Sequence, residues 1–232
     1  MDSIRYARQL QLPDIGESGQ RKLSEASVLI VGLGGLGSPV ATYLVGAGIG
    51  RIGLCDSDVV SLSNLQRQVL YTEDEVGLPK TACARSRLSA ISGHTVFEEY
   101  PDGLTAENAI DIIGSYDIVV DCCDNFRTRY LIDDTCAATS RPWVYGSIGA
   151  FHGQLAVMNG IKGLRYSALY PDRAELESRP AASGGVLGVV PGVIGAMEAG
   201  EVIKLIAGFG EPLDGKLFTI NLKTLQTDII EF

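Results

Sequence analysis

Short apolar, β-branched runs alternate with longer segments of helical spacing over the first two thirds of the chain. Val28-Leu29-Ile30-Val31 is the first such run and it ends in glycines, the pattern of a strand buried on both faces. The pattern recurs. Ile52-Gly53-Leu54-Cys55 runs into Asp56, residues 79–92 are predicted helical, Thr95-Val96-Phe97 extended, 105–113 helical, and Ile118-Val119-Val120 runs into Asp121. A polar stretch over about 2–25 is predicted to form a helix ahead of them. Alternation of this kind predicts an α/β fold, a Rossmann-like and mostly parallel sheet with helices on both faces.

From about residue 142 the texture changes to two extended segments, 143–148 and 154–158, and then a polar stretch, 167–185, that contains Pro171 and Pro180 and is expected to be a loop or lid. Residues 192–206 place Ile194, Met197, Val202, Leu205 and Ile206 at near-helical spacing, with Gly208 as the stop. Leu217-Phe218-Thr219-Ile220 and Thr227-Asp228-Ile229-Ile230 predict C-terminal antiparallel strands that extend the sheet.

Composition narrows the class. With 232 residues, 46% hydrophobic and 20% charged, the chain is expected to be one globular domain with a sizeable core. Nineteen Lys and Arg against 28 Asp and Glu leave a net charge of −9, which argues against nucleic acid or an anionic membrane as a partner. The start, Met1-Asp2-Ser3-Ile4-Arg5-Tyr6, has no apolar leader and no run approaches a membrane span, so a cytoplasmic location is expected. The five cysteines, Cys55, Cys83, Cys122, Cys123 and Cys136, include no C-x-x-C pair, and only His94 and His152 stand beside them. Neither a disulfide framework nor a Cys/His zinc site is expected.

The candidate chemistry begins at Gly32-Leu33-Gly34-Gly35-Leu36-Gly37, a G-x-G-x-x-G directly after a predicted strand and before a helix. Such a loop brings backbone close to a phosphate, and the helix start adds free N–H groups and partial positive charge. Asp56 follows about 20 residues later at the end of the second strand, where a carboxylate accepts from ribose hydroxyls. A nicotinamide-linked dehydrogenase uses the same loop and is the first rival reading.

The segment after Asp56 favours a triphosphate. It carries Asp58, Ser63, Asn64, Leu65, Gln66, Arg67 and Gln68, and Lys80 opens the next helix after Gly77-Leu78-Pro79. An amide, a guanidinium and an ammonium at the carboxyl edge of a sheet suit phosphate oxygens. Asp124, in Asp121-Cys122-Cys123-Asp124-Asn125, follows a third strand at the same edge and would hold Mg²⁺ through one carboxylate. Singly, Arg67 and Lys80 also read as solvated helix charges and Asp124 as an N-cap for a helix starting near Asn125. Together, at the edge where open α/β sheets bind ligands, they make ATP with magnesium the leading ligand.

These motifs, with Arg5-Tyr6-Ala7-Arg8-Gln9 ahead of them and Gly185-Val186-Leu187-Gly188 behind, stand in the order of the ThiF/MoeB/HesA group. The chain resembles a ubiquitin-activating-enzyme-like adenylyltransferase from near its first residue to its last. The resemblance implies a single adenylation domain over 1–232, with a nucleotide-binding half at about 26–140 and a half at about 141–232 that binds a carrier and contains a crossover loop. It implies adenylation of the C-terminal Gly-Gly carboxylate of a small β-grasp sulfur carrier, ThiS-like or MoaD-like, with a sulfur donor protein as a further partner. It implies that Gly32, Gly34, Gly35, Gly37, Asp56, Asp58, Ser63, Asn64, Leu65, Gln66, Arg67, Lys80, Asp124, Asn125, Phe126, Arg127 and Thr128 surround ATP, with Asp56 on the ribose, Asn64, Arg67 and Lys80 on the phosphates and Asp124 on Mg²⁺. Arg8 would act catalytically with Arg67, Lys80 and Asp124 by reaching into the neighbour's site of a homodimer.

The chain departs from the family pattern in two places. Arg165 and Ala168 stand where members commonly carry the first of two zinc-binding C-x-x-C pairs, and no second pair follows, so zinc is not expected. Ala181 stands where some members carry a crossover-loop cysteine, and Ser183 has no base to activate it, so no covalent carrier intermediate is expected there. Cys122 and Cys123 read as small core residues rather than nucleophiles, His94 and His152 as structural, and Trp143 and Tyr145 as core. Two other functions share the site: activation of a non-protein acceptor, such as a tRNA threonylcarbamoyl group, and a catalytically silent nucleotide-binding scaffold.

Overall fold

The computed structural model describes residues 3–179 and 184–232. Its framework is one eight-stranded sheet in the order β3-β2-β1-β4-β5-β6-β7-β8. The first five strands are parallel: β1 (Ser27–Val31), β2 (Arg51–Cys55), β3 (Val96–Tyr100), β4 (Ile118–Asp121) and β5 (Trp143–Gly149). The antiparallel strands β6 (His152–Met158), β7 (Lys216–Asn221) and β8 (Gln226–Glu231) extend one edge. The predicted fold class holds, as does the C-terminal hairpin.

The buried strands alternate between two cores. Val28 and Ile30 of β1 point into one, with Val40, Ala41 and Leu44 of α3 (Gly37–Ala47), Ala84 and Leu88 of α4 (Lys80–Ile91) and Ile194 and Val202 of α9 (Val189–Ala207). Leu29 and Val31 point into the other, with Ile113 of α5 (Ala109–Gly114), Tyr130 and Ile132 of α6 (Phe126–Thr139), Tyr166 of α7 (Tyr166–Leu169) and Leu176 of α8 (Arg173–Ser178). Trp143 and Tyr145 are buried in this second core, as expected.

Two expected elements are corrected. The helix expected over about 2–25 is two, α1 (Ala7–Leu10) and α2 (Gly16–Glu25), separated by turns that contain Pro13 and end at Gly16 with φ +51°. The stretch 167–185 is not one loop, because α7 and α8 lie in it and Leu176 is buried. Helices this short carry too few apolar positions for periodicity to reveal them.

Because β1 is flanked by β2 on one side and β4 on the other, the strand order reverses between β1 and β4. In open α/β sheets the ligand crevice lies beyond the carboxyl ends of the strands at such a reversal.

Candidate functional site

The glycine loop lines one wall of this crevice, and its glycines answer to different steric demands. Gly32 leaves β1 at φ +95°, and a Cβ there would come within 2.6 Å of the Cys122 carbonyl oxygen at the end of β4. A Cβ on Gly37, which opens α3, would overlap the Gly32 carbonyl oxygen. Gly35 lies under Pro191 of α9, 3.0 Å from where its Cβ would be, and the space at Gly34 is bounded by the Gln68 carboxamide at 3.3 Å. Leu33 is held from both sides: its N–H donates to Asp56 Oδ2 at 2.7 Å, and its carbonyl accepts from the Tyr71 hydroxyl at 2.8 Å.

Asp56 and Lys80 form the floor. Asp56 Oδ1 accepts from the Asp58 N–H at 2.8 Å, and Lys80 Nζ lies 3.7 Å from Asp56 Oδ2 and donates to Asp58 Oδ2 at 2.8 Å. Burial pushes the Asp56 carboxyl above the usual range, against the pull of Lys80 and the two backbone N–H groups. Lys80 is 4% exposed, so the reading of it as a solvated helix charge is corrected.

Residues 57–79 cover this floor through two 3-10 turns, Leu62–Asn64 and Glu73–Glu75, each closed by a capping box. Asn64 Oδ1 accepts from Ser61 N at 3.2 Å, Leu65 packs on the first core, and the exposed Gln66 lies against Gly188, where a Cβ would overlap the Gln66 carbonyl oxygen. Arg67 is half-buried, with Nη1 donating to the exposed Ser63 carbonyl at 3.1 Å. Gln68 is buried, and its Oε1 has no hydrogen-bond partner.

The opposite wall is the turn after β4. Asn125, and not Asp124, caps α6, since its Oδ1 accepts from Thr128 N at 2.9 Å. Asp124 is left exposed at the apex of the turn. Phe126 packs inward on the second core and Arg127 faces solvent. The carboxyl edge between β1 and β4 is thus flanked by the N-termini of α3 and α6, whose positive dipole ends suit an anion. Among the described residues no three His, Cys, Asp or Glu side chains cluster as a metal cage. One exposed carboxylate in the turn after β4 fits Mg²⁺, which binds through one or two carboxylates and the substrate's own phosphates.

Arg8 stands apart from these residues. It is exposed on α1, and its neighbour Gln9 donates to Gln20 Oε1 at 2.7 Å and to the Ala47 carbonyl at 3.2 Å. Ala47 ends α3, whose 11 residues span about 16 Å from the glycine loop.

The ThiF family model matches residues 6–232. The chain belongs to the ThiF family. It is 48% identical over 217 residues to the adenylyltransferase and sulfurtransferase MOCS3 of Xenopus laevis, covering 93% of this chain and 48% of that protein. It is 47% identical over 219 residues to the sulfur carrier protein adenylyltransferase of Thermus thermophilus, covering 92% of this chain and 81% of that one. The chain thus spans about half the length of the MOCS3 protein it matches. Among solved structures, E. coli MccB with ATP superposes with a TM-score of 0.83 at 26% identity, over 98% of this chain and 71% of that one. PaaA, at 22% identity and a TM-score of 0.83, shares the fold.

The departures of this ThiF-family chain have structural counterparts. Arg165 donates through Nε and Nη2 to the two carboxylate oxygens of Asp133 at 3.0 Å each, and the N–H groups of Tyr166 and Ser167 donate to the same carboxylate. An ion pair thus pins α7 to α6 where the family pattern places a cysteine pair. Ala181 and Ser183 lie outside the described residues. Cys122 is buried and Cys123 half-buried, and burial, with Asp121 nearby, holds both thiols well above their usual range. That agrees with a packing role.

Asp121 and Glu198 are among the buried acids that received no role from the sequence. Asp121 is paired with Arg129 on α6. Glu198, on α9, is fully buried against Gly146 of β5, where any Cβ would overlap its carboxylate, and neither of its oxygens has a hydrogen-bond partner. Burial, reinforced by Asp121, pushes its carboxyl well above the usual range despite Arg129. An acid with a raised folded-state pKa contributes stability that is full below its unfolded value, about 4.3, and is lost as pH rises through the folded value. Glu198→Gln removes that loss. Its unfolding free energy is expected to match the parent's near pH 4 and to exceed it by roughly 1–3 kcal/mol at pH 8. Urea unfolding across that range checks this, and a gap that does not change with pH contradicts it.

Proposed function

We propose that this protein is an ATP- and Mg²⁺-dependent adenylyltransferase that activates the C-terminal Gly-Gly carboxylate of a small ubiquitin-like sulfur carrier, ThiS-like or MoaD-like, for later thiocarboxylate formation. The observation that carries the reading is the convergence of the glycine loop, Asp56 with Lys80, Arg67 and Asp124 on one crevice between β1 and β4. A hydride-transfer enzyme has no use for the buried ammonium and the exposed carboxylate beside its dinucleotide loop.

In the reaction, a carrier carboxylate oxygen attacks the α-phosphorus, the new O–P bond forms as the α–β phosphoanhydride bond breaks, and pyrophosphate leaves. The barrier is the approach of an anion to a polyanion, so positioning and positive charge supply the catalysis. Asp56 accepts from the ribose, the glycine loop and the start of α3 take phosphate oxygens, and Asn64, Arg67 and Lys80 contact the phosphates, the two cations offsetting their charge. Asp124 would hold Mg²⁺, which offsets charge on the phosphates when bound.

Arg8 joins a site by reaching into that of a second copy. Two features support a homodimer: the distance of α1 from its own glycine loop, and the exposed apolar side chains of Val59, Leu62, Val69, Val76 and Leu78 around the site. The half at about 141–232 receives the carrier, where β8 exposes Ile229 and Ile230 at the edge of the sheet. A sulfur donor protein completes thiocarboxylate formation. Among the described residues no helix is long and apolar enough to cross a membrane.

Pyrophosphate exchange into ATP tests the reading, with Mg²⁺ and a panel of Gly-Gly-terminated carriers, each paired with a form lacking the last glycine. Exchange that requires one intact carrier is the expected outcome. Binding of ATP without exchange for any carrier points instead to a non-protein acceptor or a silent scaffold.

A further inference from the structure

The turn that presents Asp124 has no regular secondary structure of its own, yet its backbone is fastened from behind. Asp121, the last residue of β4, is fully buried, and its Oδ1 accepts from Cys123 N at 3.1 Å. Its Oδ2 accepts from Arg129 Nε at 2.6 Å. Arg129 comes from the first turns of α6 and is 5% exposed. Its Nη2 donates to the Cys123 carbonyl at 2.9 Å and to the Gly146 carbonyl of β5 at 3.2 Å. The guanidinium carbon lies 5.0 Å from the Tyr145 ring centroid and 5.7 Å from that of Tyr166, so aromatic faces restrict the guanidinium further. One planar group therefore joins the end of β4, the residue before Asp124, the neighbouring strand and the helix that Asn125 caps.

We propose that Arg129, oriented by Asp121, is a positioning residue that sets the Asp124 carboxylate for the metal carried by ATP. The inference rests on the adenylyltransferase reading. A fork with several donors at fixed angles can hold a carboxylate and two carbonyls at once. A lysine, with one mobile charge, can hold only part of that set. Supports of this kind behind a metal-binding carboxylate typically change metal affinity by 10–100-fold. The Asp121–Arg129 pair is internally neutral, so its effect on the site is geometric rather than a long-range pull on the phosphates.

The test is calorimetric ATP binding to the full chain with Mg²⁺ and with EDTA, for the parent, Arg129→Met and Arg129→Lys, with thermal unfolding recorded for each. Arg129→Met is expected to bind metal-free ATP as the parent does and to lose about tenfold of the affinity gained with Mg²⁺. Arg129→Lys, which keeps a buried charge for Asp121 and serves if the methionine variant does not fold, is expected to lose about threefold, between the two. An equal loss with and without Mg²⁺ in the lysine variant would overturn the proposal, because it marks a general packing defect. An unchanged Mg²⁺ gain in either variant would overturn it as well. If the parent itself shows no gain from Mg²⁺, the metal-dependent reading of the site fails first, and this inference with it.

Discussion

Replacing Lys80 by methionine is expected to slow carrier-dependent pyrophosphate exchange by about 10²–10³-fold, the loss typical of removing one preorganised group that meets developing charge. Lys80 is a strong candidate because burial has already stripped its ammonium of most of its water, and Asp58 and Asp56 hold it in place. A triphosphate that displaces Asp58 meets a charge with little left to reorganise. The variant has a second signature. Lys80 is the largest influence holding the Asp56 carboxyl down against burial, so its loss lets Asp56 take up a proton at higher pH. A protonated Asp56 keeps one acceptor oxygen fewer for ribose hydroxyls. Profiles of kcat/KM for ATP against pH should therefore show the acidic limb of the variant moved towards neutrality. A rate within about threefold of the parent would remove Lys80 from the phosphates.

Asp133→Ala is expected to destabilise the protein by about 3–5 kcal/mol, in the range for removing one partner of a buried ion pair. Asp133 is fully buried and accepts from two donors of Arg165 and from two backbone N–H groups. Arg165 is partly exposed and recovers some hydration, which places the effect towards the lower end of that range. The N–H groups of Tyr166, itself buried, and of Ser167 have no such recourse. Urea unfolding is expected to show a lower midpoint with an unchanged slope, and limited proteolysis should cut first within 165–179. Asp133→Asn keeps the shape and one acceptor, and should lie between alanine and the parent.

Sequence reading recovered the frame of this protein where apolar character and chain direction agreed. Val28 to Val31 and Ile118 to Val120 are buried on both faces, so an unbroken apolar run was enough to find both walls of the crevice. The glycine loop was legible because glycine spacing is a direct record of backbone crowding, here against the Cys122 and Gly32 carbonyls. What pattern could not reveal is pairing between distant segments. That Lys80 is buried depends on how 57–79 folds over it. That Arg129 serves the Asp124 turn depends on β4, β5 and α6 meeting, and a solvated arginine would look the same in the sequence. Glu198 reads as the polar side of a helix, yet α9 is covered on that side by β5, where Gly146 leaves room for a side chain. The N-cap was displaced by one residue because Asp and Asn are equally good caps, and only the chain path decides between them.

The docking of α9 against α3 and α2 has a consequence for how the chain is made. Strands β1, β2 and β4 leave the ribosome early and can pair with one another. The side of α3 that meets α9, where Gly195 lies against Leu36 and Pro39, stays uncovered until α9 has been synthesised. For most of translation the nascent protein therefore displays an unfinished core on one face of its sheet, open to chaperones and to self-association. The order of synthesis, rather than final stability, will then set how much product survives when expression is fast.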